Sequence, residues 1–300
     1  MKPMVSDKTT MPDEVRTLDA AARITRTRVA GDATLCWREW DTRPDSHQQA
    51  ADAPLLLLHG SHGSWMHWLR NIPVLAAHRR LIVPDIPGNG ESDALPDLES
   101  HVDHARALVE GLRQILPTGQ VDIVAFSLGS TLACHMSVLD PALVRRIVII
   151  DAGGLGTTHQ AAPLRPIRGA RPDQIDAINR HNLGVMMIHD PARIDETAVA
   201  IAAYCGKRAR TRIQHSVLPD RLLKIARQVA APIDVIWAEH DILHPDPELN
   251  CAVIRAIQPE ARLRVVEDAG HWCMYEQPER FNRAALDLLG LPLHAGPGGR

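Results

Sequence analysis

The chain has 300 residues, of which 45% are hydrophobic and 23% are charged, and its formal net charge is −3. This length suffices for one large α/β domain, and the composition is ordinary for a globular protein. The small net charge excludes the electrostatic signature of a protein that binds nucleic acid or an anionic membrane, so we expect a small-molecule substrate as the partner.

The ends of the chain and the cysteines bear on processing and compartment. Residues 1–20 are polar and aperiodic, so we expect a disordered extension, and residues 291–300 are rich in glycine and proline, so we expect a flexible tail. The start lacks the apolar core of a signal peptide, and no stretch is long enough to cross a bilayer. The five cysteines are widely spaced without a Cys-x-x-Cys pair, which favours reduced thiols and the cytoplasm. The sequence leaves a homo-oligomer open.

Short apolar runs alternate with helical patterns along the chain. Segments 24–29 and 35–40 flank Gly31-Asp32 and predict an antiparallel hairpin at a sheet edge. Later runs predict strands buried on both faces of a sheet, at residues 55–58, 81–83, 121–125, 147–150, 235–237 and 263–266. The predicted fold class is therefore α/β, a mostly parallel central sheet with helices on both faces.

The strand rhythm stops between residues 155 and 228, which are mostly helical in pattern and rich in arginine. The alternation resumes afterwards, and residues 229–290 are needed to complete the sheet begun by residues 21–154. We therefore predict one core, formed by residues 21–154 and 229–290, with residues 155–228 inserted as a helical cap.

The run at 121–125 leads directly into Ser127 and a helical stretch, which is the layout of a nucleophile elbow. The usual spelling is Gly-x-Ser-x-Gly. Here the first small residue is Ala125 and the second is Gly129, and a methyl group tightens the approach of strand and helix without forbidding it. The pattern predicts Ser127 as a nucleophile, with a serine at a helix N-cap as the simpler alternative.

A serine nucleophile needs a base, and the base needs a carboxylate partner. Asp241 follows the next-to-last predicted strand, and His271 follows the last one, so the predicted catalytic set is Ser127, Asp241 and His271 in this chain order. The alternatives for the acid are Glu239, Asp246 and Asp234. The oxyanion of the reaction needs backbone donors, which we place at Leu128, after the nucleophile, and at Ser61, in the glycine-containing loop after the run at 55–58.

These motifs together resemble the α/β-hydrolase superfamily from about residue 23 to residue 290. They are His59-Gly60, the turn at residues 85–93, the elbow, Asp241 and Gly270-His271-Trp272. The resemblance implies the α/β-hydrolase fold and an enzyme of the serine-nucleophile branch that uses no cofactor. His271-Trp272, Glu276 and Arg280-Phe281-Asn282 are similar to carbon–carbon hydrolases of meta-cleavage ring-fission products, and small esterases share much of this pattern.

Three functions remain as expectations. The first is a serine esterase that works through an acyl-enzyme. The second is a carbon–carbon hydrolase in which the same triad first assists ketonisation of a dienol substrate, and the third is a catalytically weak ligand receptor on the same fold.

Other residues near these loops have a functional and a structural interpretation. We expect Trp65, Trp68 and Trp272 to line a substrate pocket, although core packing would also explain them. Arginines of the cap could bind a substrate carboxylate or lie on a solvated helix face, namely Arg208, Arg210 and Arg212. Groups of histidines invite a metal hypothesis, but the carboxylate or thiolate complement at ligand spacing is missing, so we expect no metal.

Overall fold

The computed structural model describes residues 11–44, 52–95, 100–211, 213 and 217–293. The strands are β1 (Arg23–Arg28), β2 (Thr34–Trp40), β3 (Leu55–Leu58), β4 (Leu81–Pro84), β5 (Val121–Phe126), β6 (Val144–Ile150), β7 (Ile233–Ala238) and β8 (Leu263–Val266). The α-helices are α1 (Asp13–Ala20), α2 (Ile72–Leu75), α3 (His101–Ile115), α4 (Leu128–Leu139), α5 (Ile175–Asn182), α6 (Glu196–Arg208), α7 (Arg221–Ala226), α8 (Pro247–Arg255), α9 (Cys273–Glu276) and α10 (Pro278–Leu289). Short 3₁₀ turns lie at Ala30–Asp32, Trp65–Trp68, Pro172–Gln174 and Pro191–Arg193, and a π-helical turn lies at Leu183–Met187.

The strands form an eight-stranded sheet in the order β1-β2-β4-β3-β5-β6-β7-β8. The pairs β1–β2 and β2–β4 are antiparallel, and the remaining neighbours are parallel. Every residue of β3, β4, β5 and β7 is buried, as expected for strands of a parallel sheet that is covered on both faces. The two aspartates in these strands, Asp122 and Asp234, form ion pairs with Arg145 and Arg262. The predicted edge hairpin and the predicted α/β class are confirmed.

Two apolar clusters cover the two faces of the sheet. One contains the inward stripes of α3, α4, α7 and α8, and the other contains those of α1, α2, α9 and α10. The parallel strands β3 and β5 lie beside each other, with Leu58 opposite Ala125, so the loops that follow them emerge at the same edge. That edge carries the candidate site.

The N-terminal segment differs from the prediction. Residues 13–20 form α1, where we expected disorder, and Val15 is buried in the core. The helix is held because Trp40 donates its indole N–H to the Leu18 carbonyl and Arg38 forms an ion pair with Asp19. These partners are distant in sequence, so the local pattern did not reveal them. Residues 1–10 of the predicted disordered extension and residues 294–300 of the predicted flexible tail lie outside the described residues.

The segment between β6 and β7 also differs in part from the prediction. Helices α5 and α6 contact each other and the π-helical turn, as expected for an inserted cap. Helix α7 instead packs against α4 and α8, and its Leu222, Ile225 and Ala226 side chains belong to the core cluster. This contact moves α7 from the predicted cap to a helical layer of the core.

The structure also bears on the cysteines and on membrane spans. All five cysteines are free and buried. In the ranges that the structure describes, no helix combines the length and the apolar character that a membrane span requires.

Candidate active site

Ser127 lies at the tip of the turn between β5 and α4. Its backbone has φ 50° and ψ −117°, a strained conformation for a residue with a side chain. The Ser127 N–H donates to the Ile150 carbonyl at 2.8 Å, which ties the turn to β6. A Cβ at Gly129 would lie 2.7 Å from the Leu58 carbonyl oxygen, so the small second residue of the motif is a steric requirement.

Asp241 follows β7 and is buried with both carboxylate oxygens engaged. Oδ1 accepts the Leu243 backbone N–H at 2.9 Å, and Oδ2 lies 3.0 Å from Nδ1 of His271. Burial by itself would raise the pKa of Asp241, but the neighbouring His271 and His244 rings outweigh it and lower this pKa below its usual value. Asp241 is thus ionised, and its Oδ2 contacts the His271 ring at Nδ1.

The other acids that the sequence left open are engaged elsewhere. Asp234 forms an ion pair with Arg262 at 2.6 Å, and the Glu239 carboxylate accepts the Asp268 backbone N–H. Asp246 caps α8 through the Leu249 N–H at 3.0 Å. Of the four candidates, Asp241 is the one whose carboxylate contacts the His271 ring.

His271 lies in the loop between β8 and α9, and its ring packs 4.9 Å from the Phe126 ring beside the elbow. The ring is buried, and because Nδ1–H donates to Asp241, Nε2 is the nitrogen left for proton transfer. His271 and Ser127 line the same cavity. The structure therefore brings the three predicted residues to one edge of the sheet.

The cavity has a volume of about 750 Å³ and extends from the elbow to the cap. Ser61 and Leu128, the predicted oxyanion donors, also line it, as does Trp272 of the predicted substrate pocket. Much of the rest of its wall is apolar and comes from residues after β6, including Leu164, Ile167, Leu183, Met186, Ile201 and Leu218.

The loop that carries Ser61 is held by the buried ring of His59. Nδ1 donates to the Gly60 carbonyl at 2.7 Å, and Nε2 accepts the Ile86 N–H at 2.9 Å. Burial lowers the pKa of His59, which keeps the ring neutral and able to accept that bond. The two sequence motifs at residues 59–60 and 85–93 are thus joined, and their contact positions the loop beside Ser127.

Trp65 and Trp68 do not line the cavity, contrary to our prediction. The Trp65 ring lies 5.5 Å from the Trp40 ring, and the Arg38 guanidinium stands over it at 5.1 Å. The Trp68 ring packs 6.1 Å from the Phe281 ring of α10. Both indoles are buried in the apolar cluster on this face of the sheet.

Two of the cap arginines have partners away from the cavity. Arg208 stacks on the Tyr204 ring at 4.0 Å, and Arg210 donates to the Ser92 carbonyl. Arg212 lies outside the described residues. Among the described residues of the cavity wall, none is an arginine, lysine, aspartate or glutamate.

Two groups of side chains have a composition that could hold a metal ion. Asp241, His244 and His271 are buried with their ligand atoms within 4.8 Å of one another, and Glu239, His240 and Asp268 form a more exposed group. In the buried group, both imidazoles already donate to the Asp241 carboxylate. The expectation of no metal stays a prediction.

Several residues of the site were not identified as such from the sequence. His244 contacts Asp241 at 3.2 Å, and Asp151, at the end of β6, is buried near the same carboxylate. Glu276 accepts backbone N–H groups from the loop before His271 and from the cap. His240 and His244 are one of the histidine groups that invited the metal hypothesis, but their spacing from Asp241 did not by itself predict a contact with that carboxylate.

Comparison with known proteins shows the family and the fold of the chain. Residues 55–284 match the model of a family described as "Alpha/beta hydrolase family". A 2-hydroxy-6-oxo-6-phenylhexa-2,4-dienoate hydrolase from Burkholderia cepacia is 28% identical over 255 residues, covering 78% of this chain and 87% of the relative. Naproxen esterase (carboxylesterase NP) from Bacillus subtilis superimposes with a TM-score of 0.70 at 19% identity, covering 96% of this chain and all (100%) of that one. A meta-cleavage product hydrolase from Pseudomonas fluorescens IP01 has a TM-score of 0.68 at 20% identity, covering 89% and 97%.

Proposed function

Because the chain belongs to the alpha/beta hydrolase family and is a hydrolase, we propose that it cleaves an ester or a similar carbonyl substrate through an acyl-enzyme on Ser127. The observation that carries this proposal is the placement of Ser127 and His271 on one cavity wall, with Asp241 bound to Nδ1 of His271. This arrangement supplies a nucleophile, a base and an orienting carboxylate.

The reaction follows from these roles. Nε2 of His271 takes the hydroxyl proton of Ser127 as Oγ attacks the carbonyl carbon, and a tetrahedral oxyanion forms. His271 then gives that proton to the leaving alcohol, which departs with the electrons of the cleaved bond and leaves the acyl-enzyme. Water repeats the sequence with His271 as base, and the acid and free Ser127 are released.

The oxyanion needs donors aimed at its position. We assign them to the backbone N–H groups of Ser61 and Leu128, which flank Ser127 in the cavity wall. Leu128 is the first residue of α4, so its N–H has no acceptor within the helix and also has the favourable end of the helix dipole. Removing one such donor typically costs about 3 kcal/mol of transition-state stabilisation.

The cavity wall favours an uncharged substrate with an apolar acyl or alcohol group. Its described residues include no arginine or lysine that could pair with a carboxylate, and the nearby Arg208 and Arg210 are engaged elsewhere. Burying an anion without a cationic partner is costly. An apolar ester therefore suits this cavity better than an anionic dienoate.

A panel of p-nitrophenyl esters of increasing acyl length, assayed on the wild type and on Ser127→Ala, tests the proposal. We expect turnover by the wild type and a loss of at least about 10³-fold in the variant, with an unchanged thermal unfolding curve. Wild-type turnover that survives in Ser127→Ala would reject Ser127 as the nucleophile.

Carbon–carbon cleavage is the second candidate, because the Burkholderia relative acts on a dienoate and the two chains align over most of their lengths. In that reaction the same triad would first assist ketonisation of the dienol. Turnover of a 2-hydroxy-6-oxo-dienoate faster than any ester of the panel would favour it. Stoichiometric labelling of Ser127 by a fluorophosphonate without turnover of either class would favour a ligand receptor.

A further inference from the structure

One carboxylate oxygen of Asp241 serves two imidazole rings. Its Oδ2 lies 3.0 Å from Nδ1 of His271 and 3.2 Å from Nδ1 of His244. Oδ1 accepts the Leu243 backbone N–H. An ionised carboxylate has only acceptor atoms, so both ring nitrogens must donate to it.

The His244 ring is held in place from several sides. The ring is buried, and the backbone carbonyl of the same residue accepts the Trp237 indole N–H at 2.8 Å. A Cβ on Gly153 would lie 2.6 Å from its Nε2, so a glycine at 153 leaves the space that the ring occupies. The surrounding structure therefore fixes the position of the His244 ring in the cavity wall.

The far nitrogen of His244 has a partner as well. Its Nε2 lies 3.2 Å from Nδ1 of His159. Because Nδ1 of His244 donates to Asp241, its Nε2 accepts in the neutral ring, and His159 is the donor. Both rings line the cavity, so a continuous series of hydrogen bonds runs from His159 at the wall through His244 and Asp241 to His271.

We propose that His244, held by His159, is a positioning residue that shares the Asp241 carboxylate with His271 and thereby sets the pH range in which His271 acts as a base. This inference rests on the proposed function. A donated hydrogen bond disperses part of the carboxylate charge, so less of that charge stabilises the His271 imidazolium. When the His244 donor is lost, the imidazolium is held more firmly and the neutral base forms only at higher pH.

Other titratable groups face this carboxylate and its rings. Asp151 approaches from the end of β6, Cys273 from the start of α9 and His67 from the turn after β3, and the charge of Glu276 in α9 acts on Cys273. Burial raises the pKa of Cys273 and lowers the pKa of His67, so both are neutral near pH 7, and burial also raises the pKa of Asp151. All of them are retained in the variants below, so a difference between variants reports on residue 244.

The test is the pH dependence of Ser127 labelling by a fluorophosphonate, measured for the wild type, His244→Leu and His244→Asn. The acid limb of the pH profile is the range in which the labelling rate falls as the pH is lowered. Leucine removes the donor, and we expect the midpoint of this acid limb to rise by about 0.5 pH unit or more. The Asn side-chain amide can place a donor where Nδ1 of the imidazole lies, so His244→Asn should keep the wild-type limb. A residue that merely fills space would give two variants with the same limb.

Gly153→Ala supplies a second route to the same result. Its methyl group displaces the His244 ring while every triad residue stays unchanged, and it should shift the acid limb in the same direction as leucine does. This variant carries the test if His244→Leu fails to fold. Two outcomes would overturn the inference. In the first, the acid limb stays at its wild-type pH in a folded His244→Leu or Gly153→Ala variant. In the second, it moves equally in His244→Leu and His244→Asn.

The two proposals fail in different ways. If the wild type is not labelled, or Ser127→Ala is labelled equally, the proposed function is wrong. If labelling requires Ser127 but its pH profile is the same with and without the His244 donor, only the present inference is wrong.

Discussion

The Glu276 carboxylate accepts a hydrogen bond from the Gly270 backbone N–H at 2.7 Å, at the residue directly before His271. The same carboxylate accepts the N–H groups of His189 and Asp190, at 2.9 and 2.7 Å. One fully buried side chain therefore joins the loop of the candidate base to the cap. The contact is close, because a Cβ on Gly270 would lie 2.8 Å from the His189 nitrogen.

Replacing Glu276 should weaken both the fold and the reaction. In Glu276→Ala the three N–H groups lose their acceptor, and we expect the free energy of unfolding to fall by about 3 kcal/mol or more. Glu276→Gln retains one oxygen and should lose about 1 to 2 kcal/mol. Urea unfolding measures both, and kcat should fall in the same order because the His271 loop loosens. Glu279→Gln, an exposed change on α10, is the matched control, and an equal effect there would contradict the assignment.

Gly129→Ala should disrupt the elbow. The new methyl group would meet the backbone oxygens of Leu58 and His59 at 2.7 and 2.8 Å, and neither can move without disturbing β3 and the loop after it. We expect a loss of about 2 kcal/mol or more in unfolding free energy, together with loss of ester turnover. At Gly206, in α6, no atom lies within 4 Å of an added Cβ, so Gly206→Ala should gain about 0.5 to 1 kcal/mol. Thermal unfolding distinguishes the two, and equal shifts would contradict the steric argument.

The buried acid Asp151 should make stability depend on pH. Burial, and secondarily the charge of Asp241, raises the pKa of Asp151 well above 3.8, and its Oδ1 accepts the Ala238 N–H at 2.7 Å. The folded chain thus binds a proton that the unfolded chain releases above pH 3.8, so this contribution is present at low pH and is lost as pH rises through the raised pKa.

Asp151→Asn replaces the neutral acid with an amide of the same shape. Its unfolding free energy, relative to the wild type, should therefore increase with pH when urea unfolding is measured from about pH 5 to pH 9. Asp246→Asn, an exposed change that keeps a capping oxygen, should show no such trend. A constant difference between Asp151→Asn and the wild type would show that Asp151 is ionised in the folded chain.

Trp272 and Trp68 should respond differently to phenylalanine. Trp272 lines the cavity and donates its indole N–H to the His67 carbonyl at 3.0 Å, whereas Trp68 packs against α10. Trp272→Phe removes the donor that the His67 carbonyl accepts and so loosens this part of the cavity wall, and we expect a rise in KM of about 2- to 10-fold for long-chain esters. Trp68→Phe should lower the melting temperature and leave KM within about twofold of the wild type. A KM effect confined to Trp68→Phe would show that Trp68 contacts the substrate, as the sequence predicted.

The sequence pattern was sufficient to predict the strands of the sheet and the position of the elbow. The run at residues 55–58 and the run at 121–125 are buried strands because their apolar periodicity is a local property of the chain. The chain order of Ser127, Asp241 and His271 also followed from the sequence, since each residue lies in the segment that follows a predicted strand and the ends of parallel strands meet at one edge.

Only the tertiary structure decided which side chains share a cavity or a hydrogen-bond partner. Trp65 and Trp68 follow the same strand as Ser61, yet they turn into the core, and α1 folds because Trp40 and Arg38 meet it from β2. Asp241 accepts from His244 as well as His271, and Glu276 binds the cap, although nothing in their spacing distinguishes these contacts from chance. Periodicity encodes the face of an element, whereas such contacts depend on how distant elements pack, and that packing is a property of the whole chain.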